Sequence, residues 1–118
     1  MKEILFKGAK AVKLITKKVA KSLPALNATE QTPNEQKIVK AKLFCHWNNW
    51  AWYLLEYDPN EHRAFALVVG YEAEFGYVPI DELEKIKGPG GLGIEREIHF
   101  EPITLGELNE KQKLGLKL

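Results

Sequence analysis

The chain has 118 residues, room for one domain and too few for two. At 45% hydrophobic and 28% charged it holds enough apolar side chain to build a core, which excludes a wholly disordered polymer. The formal net charge of +1 hides a division. Residues 1–29 carry seven lysines against one acid, or +6, and residues 30–118 carry ten Lys/Arg against fifteen Asp/Glu, or −5.

The basic arm comes first. Lysines at 7, 10, 13, 17 and 18 interrupt every candidate signal-peptide core, and no apolar run nears the roughly 18–20 residues of a membrane span. On a helical wheel Leu5, Gly8, Val12, Ile15 and Val19 fall within about 80° of one another, opposite the lysines. Residues 1–13 read as a basic extension compatible with a helix, and residues 14–118 as a single α+β domain. Thr16 is also placed to cap a shorter helix, Lys17–Ser22, ended by Pro24, which would divide the arm.

Ala25 to Gln36 is polar and reads as loop. Lys37 to Phe44 alternates as a half-buried strand, with Val39, Ala41, Leu43 and Cys45 on the apolar side. Trp50 to Tyr57 is a second, aromatic strand. Simple alternation sets Trp50 and Trp52 on one face, Tyr53 and Tyr57 on the other. Asp58-Pro59-Asn60 is a turn, Ala64 to Val69 a central strand, and Glu74 to Val78 a fourth strand. Pro79 to Lys87 takes helical spacing through Ile80, Leu83 and Ile86. Glu95 to Phe100 alternates as a fifth strand, and Thr104-Leu105-Gly106-Glu107 opens a last helix with a capping box. The expected fold is α+β: a single antiparallel, meander-like sheet of about five strands with N-terminal, middle and C-terminal helices.

Chemistry-bearing motifs are few. Gly88-Pro89-Gly90-Gly91-Leu92-Gly93 matches G-x-G-x-x-G in letters, but a helix precedes it and a strand follows, the reverse of a dinucleotide site. Alternation would bring Glu95, Glu97, His99 and Glu101 onto one strand face, and Glu97, His99 and Glu101 there could hold a metal or act as acid and base. The same pattern is what any solvated strand face shows, with Ile98 and Phe100 turned to the core. His46 and His62 lie in loops without ligand spacing and read as surface residues. Cys45-His46 are sequence neighbours, which does not make a nucleophile pair. Cys45 is the single cysteine, so no internal disulfide forms and a cytoplasmic setting is expected, where the Asn27-Ala28-Thr29 sequon is silent.

The segments Leu14-Ile15-Thr16-Lys17, Leu23-Pro24-Ala25-Leu26, Ala28-Thr29-Glu30 and Trp50-Ala51-Trp52-Tyr53 form an ordered set. It continues with Leu67-Val68-Val69-Gly70-Tyr71-Glu72, Glu74-Phe75-Gly76-Tyr77 and Asp81-Glu82-Leu83-Glu84, then Gly88 through Arg96 and His99-Phe100-Glu101-Pro102. Over about Leu14 to Leu108 the chain resembles the bacterial family called domain of unknown function 2958, small proteins of plasmids and conjugative elements. The resemblance implies an accessory protein of a mobile element, with no activity and no cofactor attached. Members of that family begin near Lys13, so residues 1–12 read as an extension.

The expectation is a non-enzymatic module that binds another protein, with the strand aromatics as a contact patch, Lys10, Lys13, Lys17, Lys21, Trp50 and Trp52 as candidate partner-binding residues, and no cofactor or metal. One alternative is nucleic acid, engaged by Lys10, Lys13, Lys17 and Lys21 with Trp50 or Trp52 as a stacking platform. The acidic body opposes that alternative. The other is a metal-dependent hydrolase on Glu97, His99 and Glu101.

Overall fold

The computed structural model describes residues 13–118. Lys10 and the wheel stripe from Leu5 to Val12 lie outside the described residues. The apolar stripe does not continue as helix through Ile15. Leu14 and Ile15 are non-helical and buried, and the helix starts one residue after Thr16. The first helix among the described residues, α1 (Lys17–Ser22), is the shorter of the two readings, with the Thr16 hydroxyl accepting from the Val19 N–H at 3.2 Å.

Seven strands follow: β1 (Ile38–Val39), β2 (Ala41–Phe44), β3 (Ala51–Asp58), β4 (Arg63–Val69), β5 (Ala73–Pro79), β6 (Glu95–Arg96) and β7 (Ile103–Thr104). Between and after them lie α2 (Ile80–Lys85) and α3 (Leu105–Gln112). The main sheet is five-stranded and antiparallel in the order β5-β4-β3-β2-β6. Four consecutive strands therefore form the meander, and β6 returns to flank β2.

The expected single sheet is corrected to two. β1 and β7 make a separate antiparallel ribbon, Ile38 opposite Thr104 and Val39 opposite Ile103. The strand foreseen over residues 37–44 breaks at Lys40, and the break is invisible in the alternation. Val39, Ala41, Leu43 and Cys45 are all buried, yet Val39 packs into one core and the other three into the opposite one.

The main sheet is covered on both faces. On the first, Leu43, Trp52, Leu54 and Ala66 meet Leu14, Ile15, Leu23, Ile80, Leu83 and Ile94. On the second, Tyr53, Leu55 and Leu67 meet Val39, Leu105 and Leu108. Burial on two sides explains why β3 reads as a continuous apolar run rather than a clean alternation.

A bulge in β3 sets the faces. Leu54 pairs with Ala66 and Glu56 with Phe65, which leaves Leu55 as the extra residue. Tyr57 consequently shares the core of Trp52 and Leu54, not the side of Tyr53 that strict alternation assigned to it.

The strand expected over Glu95–Phe100 is also corrected. It ends at Arg96, a turn occupies Ile98 and His99, and Ile98 is 74% exposed instead of buried. Two contacts flank the short strand that remains. The Glu97 N–H donates to the Lys42 carbonyl at 2.9 Å, and His46 Nε2 pairs with Glu95 Oε2 at 2.8 Å. Arg96, on the apolar side, donates from Nε to the Leu14 carbonyl at 3.2 Å.

Two indoles are seated against glycines. A Cβ on Gly88 would stand 2.5 Å from the Trp47 ring, and one on Gly70 would stand 2.6 Å from Trp50. The glycine-rich loop thus packs an aromatic. Within it Gly90 and Gly91 take φ of 71° and 79°, values that favour glycine.

Candidate functional site

β5 is an edge strand, and the second face is only partly covered along it: Ala73 packs against the second core, and the Tyr77 hydroxyl reaches Asn27 Oδ1 at 3.5 Å. Because side chains alternate, Phe75 and Tyr77 lie on that face beside Phe65 of β4. Phe65 and Phe75 are stacked at 5.8 Å with planes 11° apart. Phe65 and Tyr77 meet at 5.2 Å, and the Arg63 guanidinium lies 5.3 Å from the Tyr77 ring centre. Phe75 is 36% exposed and Tyr77 54%.

A groove of about 270 Å³ runs beside this patch, lined by Asn27, Lys37, Glu56, Phe65, Phe75 and Tyr77. Its floor is tied down by buried polar groups. Glu56, placed on this face by the bulge, accepts from the Asn27 N–H at 2.8 Å and the Thr29 N–H at 3.0 Å, and from the Thr29 hydroxyl. Lys37 donates to the Thr29 carbonyl and, at 3.0 Å, to Thr29 Oγ1. The loop that forms the groove wall is therefore fixed by a carboxylate, a hydroxyl and an ammonium, with Asn27 at φ 71° allowing the tight approach.

The second cluster is on the opposite face of the sheet. Asp81 and Glu84 stand three apart on α2 and so share a side of the helix. The turn after β3 brings His62 to them, and its carbonyl accepts from the Ile80 N–H at 3.0 Å. His62 Nδ1–H donates to Asp81 Oδ1. Glu84 Oε2 accepts from the Leu14 N–H at 2.9 Å. One ligand-type atom from each of His62, Asp81 and Glu84 lies within 4.8 Å of the others. Tyr57 stands edge-on to the imidazole, with centroids 5.9 Å apart. Burial pushes its phenol above the ordinary value, and Glu84, Asp81 and Asp58 push it in the same direction. His62 also borders a cleft of about 350 Å³ with Lys13, Thr16, Lys17 and Tyr57.

The residues singled out in the sequence are dispersed. Lys13, Lys17 and Lys21 are exposed. Trp52 is 7% exposed and belongs to the core, which removes it as a stacking platform. Trp50 is half-buried, wedged against Gly70 and edge-on to the exposed Tyr71 at 5.7 Å. The turn at Ile98–His99 breaks the alternation that would have aligned Glu97, His99 and Glu101. His62 escaped the sequence reading because its partners lie 19 and 22 positions away on a helix, a separation that no local motif marks.

A family model described as "Protein of unknown function (DUF2958)" matches residues 14–109. No curated protein and no solved structure matches the chain. The family match starts at Leu14, where the Arg96 and Glu84 side chains grip the backbone, and ends inside α3, beside Leu105 and Leu108 of the second core. It spans both layers around the main sheet, and the protein belongs to the DUF2958 family.

Proposed function

We propose that the protein is a non-enzymatic accessory factor of a mobile genetic element that works by binding another protein along β5. The observation that carries this reading is the partly exposed aromatic face of an edge strand, Phe75 and Tyr77 beside Phe65. An edge strand offers unpaired backbone N–H and C=O groups, and aromatic side chains beside it supply contact area at little entropic cost. The rigid groove wall adds shape, since its loop is held by Glu56 and Lys37. The mobile-element setting comes from the resemblance of the sequence motifs, and the buried single thiol of Cys45 agrees with a cytoplasmic one.

The test compares the wild type with a Phe75→Ser/Tyr77→Ser double variant as baits in lysate of a host strain, after melting curves establish that both fold. A partner retained by the wild type and lost by the variant is the expected result. Equal capture by both baits, or no specific capture by either, overturns the reading.

Nucleic acid is the second reading, supported by the exposure of Lys13, Lys17 and Lys21 on one short segment. It requires DNA affinity that falls steeply with salt, by orders of magnitude between low and physiological ionic strength. Absence of binding at low salt would end it.

A further inference from the structure

Of the polar clusters, the one at His62, Asp81 and Glu84 has a composition that ordinary surface pairing does not require. An imidazole and two carboxylates converge from two chain segments, with one ligand-type atom of each inside 4.8 Å. The imidazole is brought there by a residue at φ 54°, a left-handed conformation that non-glycine residues seldom take. The His62 carbonyl is fixed to the first residue of α2, so the loop and the helix that carry the donors are already docked.

We infer that His62, Asp81 and Glu84 form a binding site for a divalent cation of the zinc class, with solvent completing its shell. One nitrogen and two carboxylate oxygens are the donor set that zinc and its first-row neighbours accept, while magnesium and calcium favour oxygen alone. Three protein ligands leave a position open to solvent. To ligate through Nδ1, the imidazole moves its proton to Nε2, and Asp81 exchanges the Nδ1–H for the cation. No net proton is released if the ring starts neutral. Glu84 keeps one oxygen on the Leu14 N–H and has the other to offer. In this role the ion would join the turn after β3 to α2 and, through Glu84, to the backbone at Leu14.

The experiment uses the full chain without a polyhistidine tag, stripped with chelator and titrated calorimetrically with zinc chloride, manganese chloride and magnesium chloride. Zinc is expected to bind at one equivalent, and magnesium not to compete. His62→Ala and Asp81→Asn should each weaken zinc by at least about tenfold, the scale of a lost ligand or its support. Glu84→Gln, which keeps an acceptor for the Leu14 N–H, covers the case in which either of the other variants fails to fold. Cobalt substituted for zinc should give visible d–d bands in the wild type that each variant loses. No saturable zinc binding overturns the inference. So does zinc affinity that is unchanged in the folded variants, which would place the ion at His46 and Glu95 or at Cys45. Binding of a protein partner along β5 is tested separately, and its failure leaves this result untouched.

Discussion

Thr29 links two charged side chains that are both nearly sealed from water. Its hydroxyl donates to Glu56, and its hydroxyl and carbonyl accept from Lys37. A buried carboxylate with three donors is costly to remove, because the donors stay behind without a partner. Glu56→Ala is expected to destabilise the fold by about 3 kcal/mol, read as a lower urea midpoint. Glu56→Gln, which keeps an oxygen for the loop N–H groups, should lose less. The glycines under the indoles make a second case. Gly70→Ala and Gly88→Ala must each push a rigid ring aside, at about 1–3 kcal/mol. Gly76→Ala meets nothing within 4 Å on β5 and serves as the control, with stability unchanged or slightly raised by about 0.5 kcal/mol. If Gly76→Ala cost as much as the other two, the ring contacts would not be the cause.

At the scale of elements, α3 and the tail after it close the second core. Thr104 caps the helix, its hydroxyl accepting from the Glu107 N–H at 3.2 Å. Lys113 ends it in the left-handed conformation. Asn109 then brackets Leu116, donating to its carbonyl at 2.9 Å and accepting from its N–H at 3.0 Å. This pair seats Leu114, Leu116 and Leu118 against the core. Asn109→Ala should release the tail and cost about 1–2 kcal/mol, with the amides of residues 114–118 losing hydrogen-exchange protection. The helix itself was legible from Thr104 and Glu107, as α1 was from Thr16 and Pro24, because caps are local chemistry. The meander from Ala41 to Pro79 was legible for a similar reason: alternating or continuous apolar runs punctuated by Asp58-Pro59-Asn60 and Gly70. What stayed hidden depended on distant residues. Lys40 breaks its strand without disturbing the alternation, and Ile98 alternates correctly yet sits in a turn. The groove needed Glu56 placed by a bulge, and the His62 cluster needed a turn and a helix to dock.

For the molecule as a whole, the two covered faces predict how stability changes in alkali. Burial raises the phenols of Tyr53 and Tyr57, one in each core, above the ordinary value of 10.0. In the unfolded chain these groups ionise at that ordinary value, while in the folded protein they hold their protons longer. Their contribution is therefore intact below about pH 10 and is lost as pH rises through and beyond it. A Tyr53→Phe/Tyr57→Phe variant should lose less stability than the wild type between about pH 9 and pH 11, measured by thermal melts at each pH. Equal alkaline loss in the two proteins would place the effect elsewhere. The cores also silence the thiol. Cys45 is 8% exposed with its pKa pushed up by burial, so it should react with a thiol reagent only as fast as the protein opens.

The bulge at Leu55 bears on how the chain tolerates changes in length. Side chains of β3 obey one orientation rule before that residue and the opposite rule after it, so Tyr57 reaches the His62 cleft while Glu56 reaches the groove. Losing Leu55 costs one buried side chain but leaves every later residue facing as it did. Losing Tyr53 instead reverses the facing of the residues on one side of the gap unless the bulge is given up to absorb it. The strand thus contains its own slack of one residue, and both surface regions depend on where that slack is kept.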